Sequence, residues 1–156
     1  MTIPAGYTTV TPWIISHDTA QLLEFVRRAF GAEELGRIEN PDGSIGHAEL
    51  RIGDSIVMAF DARPDWPRLP AFLRLYVDDA DAAFRRAIEA GATPVTDPTT
   101  LAFGDRVGRV RDPLGNVYWL QARLEDLSPE EMRRRAALPE YIEAMAYVQS
   151  ADLPGS

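Results

Sequence analysis

The chain has 156 residues, enough for one domain that buries roughly 70% of its unfolded surface without help from disulfides or metals. Cysteine is absent, which excludes disulfides, thiolate nucleophiles and cysteine-held zinc. All sixteen Lys+Arg residues are arginine, so lysine Schiff-base chemistry is excluded, and a formal charge of −8 with arginines scattered among acids argues against nucleic acid as a partner.

Thr8 to Ser16 is rich in β-formers and predicts a strand. Asp18 then caps a helix over Thr19 to Phe30, with Leu22, Leu23, Val26 and Phe30 on one face. After Gly31 come three strands joined by tight turns: Glu34 to Glu39, Ile45 to Ile52 and Ser55 to Phe60. A proline-rich link over 63–70 follows, and the order then recurs. Strand Phe72 to Val77, helix Ala80 to Ala90 and strands Thr93 to Asp97, Arg106 to Arg111 and Val117 to Ala122 form a second unit of the same kind. Asp18 to Gly31 and Asp78 to Gly91 have equal spacing, with FVRRAFGA and FRRAIEAGA in matching places. The fold class is therefore α+β, built from two βαβββ modules at about 8–61 and 71–123 within a unit spanning 1–125. Residues 126–156 form a helical extension. Ser128-Pro129-Glu130-Glu131 is a capping box that starts one helix, and Tyr141, Ile142, Met145 and Val148 mark a second whose apolar stripe must cover this chain's own sheet or a partner.

The order of GHAELRIGDSIVMAFD, LRLYVDDADAAFRRAIEAGA, FGDRVGRVRDPLGNVYWL and DLSPEEMRRRAA resembles the vicinal oxygen chelate superfamily, which includes glyoxalase I, extradiol dioxygenases and bleomycin-type resistance proteins, and within it the PhnB-like branch. The resemblance implies that each module curls its sheet into a scoop with a helix on the convex side and a ligand cavity on the concave side. It also implies a homodimer. Enzymes of the superfamily hold a divalent metal with His and Glu on the first and fourth strands of each module. Those positions carry over to about Thr11, Met58, Phe72 and Trp119 here, and none is a usual metal ligand. No metal or other cofactor is expected.

Alternation along the strands sorts the side chains. Leu73, Leu75, Val77, Tyr118 and Leu120 are expected on the helix side. Trp13, Met58, Phe60, Phe72, Tyr76 and Trp119 then supply an aromatic and thioether lining, with Arg74, Arg109, Arg111 and Gln121 as polar points. A mostly apolar hollow with a few placed polar groups suits a small planar or anionic ligand. His47 and Glu49 lie two apart on one strand face, as a hydrogen-bonded pair of the wall or as an acid–base or metal-binding pair. Two functions follow: a metal-independent binding protein for an antibiotic or biosynthetic intermediate, or a lyase or isomerase that uses His47 and Glu49. No Gly-x-Ser-x-Gly element or phosphate-binding glycine loop is present. Without about 18 consecutive apolar residues or a basic-then-apolar leader, no membrane partner and a cytoplasmic location are expected.

Overall fold

The computed structural model describes residues 2–150. In chain order it contains β1 (Trp13–Ser16), α1 (Thr19–Phe30), β2 (Glu33–Glu39), β3 (Ile45–Ile52), β4 (Ser55–Asp61), β5 (Phe72–Tyr76), α2 (Ala80–Glu89), β6 (Thr93–Thr100), β7 (Asp105–Arg111), β8 (Val117–Arg123), α3 (Pro129–Ala136) and α4 (Pro139–Gln149). The two βαβββ modules are present, and the extension carries helices over Pro129–Ala136 and Pro139–Gln149, its last residues, 151–156, lying outside the described residues. Each module makes a four-stranded mixed sheet, ordered β1-β4-β3-β2 and β5-β8-β7-β6. In both, the first strand pairs parallel with the fourth, and the other pairings are antiparallel.

Local chemistry explains the boundaries. The Asp18 carboxylate accepts from the Gln21 amide at 3.0 Å, and Gly31 closes α1 in the left-handed region at φ 66°, where a side chain would be strained. Asp79 caps α2 in the same way through the Ala82 amide. The first strand begins at Trp13 and not at Thr8. Pro12 cannot donate to the ladder, and its carbonyl takes the Met58 amide as the last rung. Strand β6 runs on to Thr100 through Pro94 and Pro98, with register shifts beside both, which an edge strand tolerates.

Helices α1 and α2 pack against each other between the two sheets. Ala80, Ala83 and Ala87 are the buried residues of α2, and their small size lets α1 come close. Phe25 and Phe30 of α1 pack on Tyr118 of β8, with ring centroids 5.9 and 5.0 Å away. One apolar cluster thus joins Ile14, Leu22, Val26 and Leu50 to Val110, Tyr118 and Leu120.

The turn Asp112–Asn116 serves this core. The Asp112 carboxylate accepts from the Leu114 and Asn116 amides, the Asn116 side chain and the Tyr118 hydroxyl, all at 2.8 to 2.9 Å. Asn116 also accepts from the Ala71 amide, which ties the turn to β5. Burial, followed by the adjacent Asp112 carboxylate, pushes the Tyr118 phenol well above its ordinary value, so it stays a protonated donor. The turn lets a large aromatic residue enter the core with its polar end satisfied.

Candidate functional site

Because the helices lie between the sheets, the two inner faces of one chain look away from each other. Their side chains are set by the strand register.

On the first sheet, Trp13 of β1 is in register with Met58 of β4, which is in register with Glu49 of β3; Ile15 is in register with Phe60. These residues and His47 share the face opposite Ile14, Ala48, Leu50, Val57 and Ala59, which are buried against the helices. Trp13 meets the His47 ring edge-on at 5.8 Å and Phe60 at 5.3 Å, and Phe60 meets Trp66 at 6.3 Å. The face is open: Trp13 is 52% exposed and Ile38, in register with His47, is 65% exposed.

Beside this aromatic patch lies a polar relay. The Tyr7 hydroxyl donates a short hydrogen bond to one Glu49 carboxylate oxygen, and His47 Nε2 lies 3.1 Å from the other. The bond from Tyr7, and then that from His47, hold the Glu49 carboxyl below the usual carboxylate range. The same bond pushes the Tyr7 phenol up. Tyr7 was not predicted. It lies in the segment before β1, where no periodicity assigns a direction to a side chain.

On the second sheet, Trp119 of β8 sits in register between Arg74 of β5 and Arg109 of β7, and Phe72 and Arg111 flank Val117. Phe72 and Trp119 are 6.5 Å apart. The Arg109 guanidinium lies over the Trp119 ring, 4.8 Å from its centroid. Helix α4 covers this half of the face, where Ala144, Met145 and Val148 pack with Leu101, Phe103, Val107 and Trp119. Arg109 is 5% exposed, with Nε donating to Thr96 Oγ1 at 3.2 Å and Nη2 to the Val148 carbonyl. Burial pushes its guanidinium down from the ordinary value. Gln121 is committed elsewhere, donating to Asp105, which also binds Arg123. Tyr76 is 66% exposed at the sheet edge. Thr96, the cross-strand neighbour of Arg109, was also missed because its pairing depends on the β6–β7 register, and the Val148 carbonyl because nothing in its local pattern says that an arginine will reach it.

The predicted lining is therefore divided. Trp13, His47, Glu49, Met58 and Phe60 share one face, and Phe72, Arg74, Tyr76, Arg109, Arg111, Trp119 and Gln121 share the other. Within one chain the helix layer keeps them apart. A hollow of about 570 Å³ lies away from both Trp13 and Trp119. It is the seam between modules, lined mainly by Val57, Leu73, Leu75 and Val77, with Arg74, Tyr76 and Arg86 on its walls. Of its polar lining, which includes Asp54 and Ser55, only Ser55 and Asp54 are hydrogen-bonded to each other among the described residues, at 3.0 Å, so the inner faces, with their convergent polar groups beside aromatic rings, are the better site candidates.

Register adds first-strand neighbours to the expected metal positions. The first-strand partners in register with Met58 and Trp119 are Trp13 and Arg74, beside the expected Thr11 and Phe72. Two indoles, a thioether and a guanidinium do not bind a divalent cation, and the last repels one. Among the described residues no group of three or more His, Asp or Glu side chains converges elsewhere. The residues present do not fit the metal of the catalytic members.

Comparison with known proteins agrees with the architecture. Residues 7–120 match the Glyoxalase/Bleomycin resistance protein/Dioxygenase superfamily. Uncharacterized proteins from Mycobacterium bovis and Mycobacterium tuberculosis are each 36% identical over 138 residues, covering 80% of this chain and 89% and 79% of theirs. The crystal structure of TioX from Micromonospora sp. ML1 superimposes with a TM-score of 0.64 at 25% identity, covering 75% of this chain and 99% of that one. UcmS2 shares the fold at a TM-score of 0.59 and 16% identity, over 78% and 98% of the two chains. With the module order, the parallel first-to-fourth pairing and this match over most of its length, the chain belongs to the glyoxalase/bleomycin resistance protein/dioxygenase superfamily.

Proposed function

We propose that this protein binds a small planar aromatic molecule, antibiotic or biosynthetic intermediate, without a metal or other cofactor. The observation that carries the reading is the open inner face of the first module, where Trp13, Met58, Phe60 and Trp66 stand exposed or half-buried beside the Tyr7–Glu49–His47 relay. An apolar aromatic surface with one polar corner is costly to leave wet and well suited to stack a ring. The donor chemistry at the metal positions supports the metal-free part. Because the two inner faces of a chain look apart, a homodimer that sets the first module of one copy over the second module of another would enclose the ligand from both sides. The order of FGDRVGRVRDPLGNVYWL and SPEEMRRR favours the PhnB-like branch. A cytoplasmic location is part of the same reading; among the described residues no helix is long and apolar enough to cross a membrane.

The test is a calorimetric and fluorescence screen of planar aromatic compounds, with and without a chelator, on the natural protein and on Trp13→Leu. Chelator-independent binding that is lost in Trp13→Leu is expected. A screen in which no compound binds, or in which binding requires an added metal, overturns the reading.

The relay supports a second reading, as a lyase or isomerase. His47, oriented by Glu49, which Tyr7 holds in turn, has the arrangement of a positioned base. This reading requires His47-dependent exchange of a carbon-bound proton in a ligand that binds, followed by NMR in deuterated water. Equal exchange in His47→Ala removes it.

A further inference from the structure

Arg109 is a buried cation whose partners among the described residues are all neutral: a threonine hydroxyl, a backbone carbonyl and an indole face. Taking a guanidinium out of water is expensive unless an anion answers it. What answers it here is the C-terminal end of α4. The Val148 carbonyl belongs to the last turn, has no partner within the helix, and carries the partial negative charge of the helix terminus. The helix end stands where a carboxylate would bind better.

Helix α4 is also lightly held. Its N-cap, Leu138, makes no side-chain hydrogen bond, and Val148 is its one buried residue. Its backbone comes close to β6 and α3, Ala144, Met145 and Val148 reach over to Leu101, Phe103, Val107 and Trp119, and the Tyr147 hydroxyl accepting the Asp97 amide at 2.8 Å is its side-chain bond to β6. Few buried apolar groups and a single such bond describe an element that opens at low cost. Beneath it, Trp119 lies between Arg74 and Arg109 in register.

We propose that Arg109, Thr96 and Trp119 form an anion subsite for the carboxylate of an aromatic acid, and that the last turn of α4 fills this subsite until the ligand displaces it. The ligand's ring stacks on Trp119, and its carboxylate takes the guanidinium fork that Val148 now holds. This rests on the small-molecule reading above, which it narrows to aromatic acids on the second module.

The test uses the full chain with 2-naphthoate and its uncharged counterpart 2-naphthamide, read by calorimetry and by hydrogen exchange over 139–149. Naphthoate is expected to bind about tenfold tighter than naphthamide, a preference lost in Arg109→Gln. Its binding is expected to raise exchange over 139–149. Tyr147→Phe combined with Met145→Ala leaves Arg109 in place and loosens α4, so it should tighten naphthoate about three- to tenfold. Equal affinity for the two probes overturns the subsite and leaves small-molecule binding standing. Tight naphthoate binding without increased exchange over 139–149 overturns the displacement. Failure of both probes to bind even the loosened variant overturns the whole inference, while the Trp13 face, screened separately, decides the wider reading.

Discussion

The two modules repeat one topology, yet their inner faces have opposite fates. On the first sheet an indole, two further aromatic rings and a thioether stand open around a hydrogen-bonded relay. On the second, an indole and a guanidinium are covered by α4. In the first face the polar groups satisfy one another: Glu49 accepts from Tyr7 and meets His47. In the second, the cation Arg109 is answered by neutral groups, its cross-strand neighbour Thr96 and the Val148 carbonyl of the distant tail helix. The same scaffold can thus carry a preorganised open wall and a provisionally filled one, and the difference comes from what the chain places over each sheet. Only the second module is followed by helices.

Substituting the two inner tryptophans is the sharpest way to break this comparison. Trp119→Ala empties a contact shared by Phe72, Arg109 and α4, and is expected to cost about 3 kcal/mol or more in denaturant unfolding. Trp13→Ala, on a residue 52% exposed, is expected to cost less than about 1 kcal/mol while removing ligand binding. Equal losses would mean that the first face is also covered.

A smaller effect is expected at Gly108, which faces α2 from β7. A Cβ there would lie 2.9 Å from a Phe84 ring carbon and 3.2 Å from Pro98, so Gly108→Ala should cost about 1–3 kcal/mol, read as a lower melting temperature. It should leave binding at the Trp13 face unchanged, since it disturbs only the second module. Loss of that binding would show that the modules are energetically coupled through the helix layer.

Smaller still is Tyr7→Phe, which removes the donor to Glu49 and should lower the melting temperature by less than Gly108→Ala does.

The relay also has a pH signature. Because the folded Glu49 carboxyl is held below its ordinary value, its bonds contribute fully above the unfolded pKa, near 4.3, and are lost as pH falls through the folded one. NMR of the Tyr7 ring should therefore show its bond to Glu49 intact at neutral pH and released only in acid below that range. Release already at pH 6 would show that Glu49 is not so held.

Much of this was legible in the chain. Asp18 and Gly31 bracket a helix by capping and left-handed chemistry, and alternation correctly put Tyr118 and Leu120 against the helices and Trp119 on the inner face. The start of β1 was misread because β-propensity over Thr8 to Val10 does not register that Pro12 breaks the ladder. Tyr7 was not legible, because an irregular segment has no period from which to infer direction. The role of Gln121 was equally hidden: alternation gives its face but not that Asp105 takes its amide.

By itself the sequence determined the elements, their duplication and the face each strand residue takes, because capping, turn geometry and period-two alternation act between near neighbours. Tertiary structure alone decided that the helices lie between the sheets, so that one predicted lining becomes two opposed faces. It also decided that the tail helix ends on Arg109. Both depend on packing between segments far apart in the chain, where contact follows from shape and buried area and not from local pattern.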